Sequence, residues 1–129
     1  MMKNTKKTDP EKEIIKKNRG QIIFDLKRAF LQFITLTLIS RGSKYAYEIK
    51  AEILRLSMGG FDIDRNNLYK KLRSLEKDGI LKSHKEPSTR GAQRKYYTIT
   101  PLGQLLLKKN RDILFPLTKA FREHIIPRR

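Results

Sequence analysis

The chain has no cysteine and no tryptophan, only two histidines, and few acids, with 13 Asp and Glu against 30 Lys and Arg. Without cysteine there is neither a disulfide framework nor a thiolate metal site. His84 and His124 have no Ser, Cys or metal-ligand pattern around them. The expectation is therefore a protein that is not an enzyme and holds no cofactor and no metal. A long apolar run is also missing. The longest candidate, Ala29–Ser40, carries Gln32, Thr35 and Thr37 and falls short of the roughly 18 apolar residues that a membrane span needs. The opening Met-Met-Lys-Asn-Thr-Lys-Lys leads into charge and not into an apolar signal core. A soluble protein of the cytoplasm is expected, with no membrane partner.

The shortage of acids leaves a net charge of +17 on 129 residues and a pI near 10.3. A polyanion is the natural partner, because neutralising phosphates releases condensed counterions. Charge alone does not separate DNA from RNA or from an anionic membrane. The length suggests one domain, and 38% apolar residues can build a modest core that a second subunit could complete.

One stretch organises the rest. From Asp64 to Gly79, Leu68, Leu72 and Leu75 fall on one narrow face of a helix. Asn66, Lys70, Arg73 and Lys77 fall on the opposite face, within about 60° of one another at the helical period. Asp64 is placed to cap the N-terminus and Gly79 to end the helix in the left-handed conformation. A Lys-rich face is by itself only a solvated face. Asn66 and Asn67 add something, since an amide in the first turn of a helix in the major groove can make paired hydrogen bonds to adenine. The stripe reads as a recognition helix for double-stranded DNA, with Tyr69 at its edge either packing inward or contacting phosphate.

Residues 1–20, rich in Lys, Glu, Asn and Thr and interrupted by Pro10, read as a mobile or weakly helical basic arm. A strongly helical pattern begins at Ile22, with Ile22, Leu26, Ala29, Phe30, Phe33, Thr37 and Leu38 along the expected buried stripe. Gly42 should end this helix and Ser43 cap the next, over about Lys44–Ser57, with Ala46, Ile49, Ile53 and Leu56 inward. Gly59-Gly60 breaks the chain ahead of a loop anchored by Phe61 and Ile63.

After Gly79 the period changes to that of strands, at Ile80–Glu86 and Ala92–Thr100, around the turn-rich tip Pro87-Ser88-Thr89-Arg90-Gly91. Directly after a recognition helix, such a hairpin reads as a wing, whose Arg90, Arg94 and Lys95 can reach phosphates or an adjacent minor groove. His84 reads as a surface or phosphate-contacting residue of that wing. Thr100-Pro101 marks a helix start, with Thr as N-cap and Pro at the first helical position. Leu102, Leu105, Leu106, Ile113, Leu114, Leu117, Phe121 and Ile125 then recur at helical spacing, with a kink or break expected near Phe115 because of Pro116. Nothing later in the sequence covers this stripe, so Leu102, Leu106, Ile113, Leu117 and Phe121 are expected to close a homodimer.

The predicted fold is mainly α with a small β-hairpin: a winged helix-turn-helix plus a C-terminal dimerisation helix. Its divisions are a basic arm (1–20), a DNA-binding domain (21–100) and a dimerisation region (101–129). Within it, Tyr45-Ala46-Tyr47-Glu48-Ile49 resembles the His-Gly-Tyr-Glu-Ile string of the PadR-like transcriptional regulators. Asn67-Leu68-Tyr69 through Leu72, Leu75, Glu76, Gly79 and Ile80 is similar to the family's Thr-Leu-Tyr…Leu…Leu-Glu…Gly-Leu segment. Arg94-Lys95-Tyr96-Tyr97-Thr98-Ile99-Thr100-Pro101-Leu102-Gly103 resembles its wing strand, and the three strings keep their order and spacing across roughly Phe30–Leu107.

The resemblance implies a dimeric DNA-binding regulator, usually a repressor, of the short subfamily. Tyr45-Ala46 and Arg65-Asn66 depart from the family's His-Gly and Pro-Gly, and the second change leaves two polar side chains at the groove end, which implies a different operator. Some relatives stack an aromatic effector on a Trp between subunits; this chain has no Trp, and no effector is assigned. The layout also resembles replication terminator proteins. A terminator-like or nucleoid-type protein of weak sequence preference is thus the alternative expectation.

Overall fold

The computed structural model describes residues 9–89 and 91–127. The chain divides into two compact units, residues 1–30 and 31–129. The first helix, α1 (Pro10–Ser40), begins in the first unit and ends in the second.

In the first unit, the Asp9 carboxylate accepts from the Glu11 N–H at 3.0 Å, and Pro10 takes the first helical position. Glu11 and Glu13 then lie in the turn where the helix dipole favours acids. Asp9-Pro10 is thus a start signal, and from Pro10 onward the expected arm is regular helix; residues 1–8 lie outside the described residues. Ile14, Ile15, Ile22, Phe24 and Leu26 are exposed on this segment.

The second unit holds the core. At the end of α1 the buried side chains are Leu31, Thr35, Leu36, Leu38 and Ile39. Of the expected stripe Leu38 is buried, but Phe33 and Thr37 are only half-buried and Ile22 and Leu26 are exposed, so the inward face is shifted towards Leu31, Thr35, Leu36 and Ile39. The helix is apolar nearly all round from Leu31 to Ile39, so periodicity could not choose the inward side.

The chain then forms a short strand, β1 (Lys44–Tyr45), and α2 (Ala46–Leu56). The expected helix start at Lys44 is corrected by two residues. Tyr45 is extended and occupies the N-cap position, and its N–H donates to the Glu48 carboxylate at 3.1 Å, while Ser43 caps nothing. Ala46, Ile49 and Ile53 of α2 are buried, whereas Leu56 is not.

Next come α3 (Arg65–Lys77), β2 (Leu81–Glu86) and β3 (Arg94–Ile99). The antiparallel sheet has the order β1-β3-β2, three strands where a hairpin was expected. In register, Leu81 opposes Ile99, Ser83 opposes Tyr97 and Lys85 opposes Lys95, which puts Leu81, Ser83, Tyr97 and Lys95 on the side of the core. Tyr45 opposes Tyr96 and His84 opposes Tyr96 from the other strand, all on the outer side.

The last helix, α4 (Pro101–Ala120), starts where expected, with the Thr100 hydroxyl accepting from the Gly103 N–H at 3.1 Å. It does not break at Pro116. The ring deprives only the Asp112 carbonyl of its helical partner, and that turn is exposed, so water can satisfy it. Helix continues to Ala120 and widens into one π turn, Phe121–Ile125, with the Ile126 N–H donating to the Phe121 carbonyl at 2.8 Å. No helix among the described residues is long and apolar enough to cross a membrane.

Candidate nucleic-acid interface

Three anchors place α3. Asp64 is its N-cap, with the Asn67 N–H donating to the carboxylate at 3.1 Å. Just before it, Lys50 of α2 reaches the Asp62 carboxylate at 2.7 Å and the Ile63 carbonyl at 2.6 Å, which holds the entering loop while the Ile63 side chain is buried. Leu68, Leu72 and Leu75 are buried beneath the helix, and Lys71 on its flank donates to Gln32 of α1 at 2.8 Å. Gly79 leaves the helix at φ +78, a conformation that a residue with a Cβ adopts only with strain.

With that face fixed, Asn66, Asn67, Tyr69, Lys70, Arg73 and Lys77 are all exposed. Tyr69 is 39% exposed and so turns partly outward from the edge of the leucine stripe. No described carboxylate pairs with Lys70, Arg73 or Lys77, and their charge is available to an incoming anion.

The wing is fastened to α3 by Glu76. One carboxylate oxygen accepts from the Ser83 hydroxyl of β2 at 2.5 Å, and the other lies 3.1 Å from the Lys95 ammonium of β3. The carboxyl is thereby held below the ordinary carboxylate range, first by the Ser83 hydrogen bond and then by Lys95. Lys95 is pushed above the ordinary lysine value, chiefly by its bond to Glu76, and its ammonium also lies 5.4 Å from the Tyr97 ring centre. Arg94, half-buried, lies across Tyr45 at 4.5 Å from the ring centre. Arg90 lies outside the described residues.

On the outer side of the sheet Tyr45 meets Tyr96 edge to face at 5.3 Å, and Tyr96 stacks on His84 at 5.9 Å. His84 Nε2 is 2.6 Å from the Glu86 carboxylate. This row is invisible in the sequence, because Tyr45 and Tyr96 are brought opposite each other only by strand pairing. Glu76 was likewise passed over as a functional residue. The one sequence signal was an acid at the edge of an otherwise basic helix face.

The residues expected to dimerise share one side of α4. Leu102, Ile113, Leu117 and Phe121 are exposed and Leu106 is half-buried, beside a core-facing row of Gly103, Leu107, Asn110 and Leu114.

The arrangement of a buried-stripe helix with an exposed amide-and-cation face, followed by a two-strand wing and a capped terminal helix, can be compared with known proteins. The model of the PadR-like transcriptional regulator family matches residues 35–109. This chain belongs to the PadR-like family. Its fold is the winged helix of that family, whose members are DNA-binding regulators of transcription and not enzymes. An uncharacterized protein of Lysinibacillus sphaericus is 35% identical over 85 residues, covering 66% of this chain and 78% of that one. Among solved structures, a transcriptional regulator from Clostridium thermocellum is 29% identical with a TM-score of 0.69, covering 79% of this chain and 99% of its own. A PadR-like regulator from Bacillus cereus, at 19% identity and a TM-score of 0.70 over 81% of this chain and 99% of its own, supports the fold. The PadR-like strings noted in the sequence now have structural reasons. Glu76 ties helix to wing, and Gly103 admits the Ile80 backbone, since a Cβ there would overlap the Ile80 carbonyl and come within 2.6 Å of Ile99 Cγ1.

Proposed function

We propose that this PadR-like protein is a repressor that binds a near-palindromic operator in double-stranded DNA as a homodimer, on the nucleoid in the cytoplasm. The observation that carries the reading is the exposed face of α3, where Asn66 and Asn67 sit at the capped end and Lys70, Arg73 and Lys77 follow without acid partners. Asn66 and Asn67 are assigned to base edges, and the partly outward Tyr69 and the cations to phosphates. At the wing, Arg94 and Lys95 supply cations from the two faces of β3, and Arg90, outside the described residues, is assigned to phosphate from its place in the sequence. The homodimer is supported by leftover surface: Leu102, Ile113, Leu117 and Phe121 are exposed on one side of α4, and a two-fold pairing would cover them. Such a dimer would set its two recognition helices about 34 Å apart, in successive major grooves.

Competition tests the reading. Duplex fragments selected by the protein from genomic DNA should remain bound against a large excess of random duplex. Equal displacement by random duplex would instead identify a nucleoid-type or terminator-like binder, the reading that a charge of +17 favours when taken alone.

A further inference from the structure

We propose that Glu76 is a positioning residue for DNA binding: it locks the wing to the recognition helix and withholds the Lys95 ammonium from phosphate, so that the sequence-independent share of binding stays weak. This rests on the reading of α3 and the wing as the DNA surface.

The argument begins with where Glu76 is. It lies on the edge of α3 that also carries Tyr69, two turns earlier, and it is 31% exposed in the side chain. Both of its carboxylate oxygens are engaged, one by each strand of the wing, through Ser83 and Lys95. A single side chain therefore bonds both wing strands to the helix. Helix and wing must meet the duplex together, and a wing whose tilt is fixed in advance loses less conformational freedom on binding.

The second step is electrostatic. Among the described residues, Lys70, Arg73, Lys77, Lys82 and Arg94 have no carboxylate partner, whereas Lys95 has one at 3.1 Å. An acid on a phosphate-facing surface weakens binding to any duplex, because it repels phosphate and removes one cation from counterion release. On a chain of net charge +17, that weakening falls on random and operator DNA alike, while base-edge contacts from α3 are spared. Both affinities fall by the same factor, and the ratio between them is left to the base-edge contacts. The downward displacement of the Glu76 pKa keeps the carboxylate charged at neutral pH, as this role requires.

The test uses the full chain, random duplex and a selected operator. Glu76→Gln preserves shape and one acceptor but frees Lys95. It should strengthen random-duplex and operator binding by the same several-fold factor and steepen the slope of log affinity against log salt by roughly 0.9 per subunit. Adding Lys95→Met should restore the parental slope, a result that simple loosening of the wing would not produce. Glu52→Gln, which frees Arg55 on α2, controls for charge alone. A parental slope in Glu76→Gln, or an equal steepening in Glu52→Gln, overturns the proposal. A second measurement needs no DNA. By carbon NMR, the Glu76 carboxyl should titrate below its ordinary value of 4.5 and move upward in Lys95→Met; titration at or above the ordinary value overturns the clamp itself. Absence of any operator preference would count against the repressor reading, and the random-duplex slopes would still decide the role of Glu76.

Discussion

Gly103 packs its α-carbon against the carbonyl of Ile80, leaving no room for a side chain on α4 where the helix leaves the wing. The same carbonyl accepts from the Thr100 N–H at 3.1 Å, and the Thr100 hydroxyl lies 2.6 Å from the Gly79 carbonyl and 3.0 Å from that of Ile80. The end of α3, the first wing strand and the start of α4 are thus knotted at one point by backbone groups and the Thr100 hydroxyl.

Gly103→Ala should destabilise the fold by about 1–3 kcal/mol, because the obstacle is backbone and cannot rotate away. Gln104→Ala, on the exposed side of the same turn, should leave the denaturation midpoint within about 0.5 kcal/mol of the parent. Chemical denaturation of the two variants side by side is the check, and equal midpoints would contradict the close approach.

On the recognition helix, Asn66→Ala or Asn67→Ala should cost about 1–3 kcal/mol on the operator and little on random duplex, since an amide reading a base edge contributes only where the base is right. Lys70→Ala should weaken both alike. Parental operator binding by all three variants would remove α3 from the interface.

The wing carries a separate expectation. Arg94 is half-buried over Tyr45 but has no carboxylate partner among the described residues. Arg94→Ala should flatten the salt dependence of binding by roughly 0.9 per subunit, and Arg90→Ala should do the same. If the double variant keeps the parental slope, the wing makes no phosphate contact.

The dimer predicts a change of mass. Sedimentation at micromolar concentration should give twice the chain mass for the parent. Leu106→Asp/Leu117→Asp, which sets two carboxylates on the exposed side of α4, should give a monomer with retained helix content. A parent that sediments as one chain would end the homodimer proposal.

Acid should weaken the clamp between Glu76 and the wing. The Glu76 carboxyl has a lower pKa folded than its ordinary 4.5, so it stabilises the fold above that value and loses this as pH falls through the folded pKa. Lys95 is raised above 10.5, so its share is present below that value and is lost as pH rises through the folded pKa. The stability difference between the parent and Glu76→Gln should therefore be flat across neutral pH and shrink below about 4.5, as thermal melts in a pH series would show. A difference that grows on acidification would reverse the sign of the contact.

The recognition helix could be read from the sequence because each of its signals is local. Asp64, the leucines at helical spacing and Gly79 act within their own few residues, and Thr100-Pro101 does the same for α4. Asp9-Pro10 was an equally local start signal, obscured by a charged composition that suggested a mobile or weakly helical arm. Pro116 shows the limit in the other direction, for a proline disfavours a helix without forbidding it when the turn is exposed. What no local rule could supply was pairing between distant segments. Lys44 and Tyr45 are a strand only because β3 lies beside them, some fifty residues later. The inward face of α1 was undetermined for the same reason, since a helix apolar on all sides is oriented by what packs on it. The candidate site divides along this line. Its exposed cations and amides follow from the amphipathic period of one helix, which the sequence determines through the 3.6-residue repeat. The state of Lys95 depends on Glu76 across a helix–sheet contact, and only the tertiary structure decides it, because a charge is available or withheld according to what stands next to it in space.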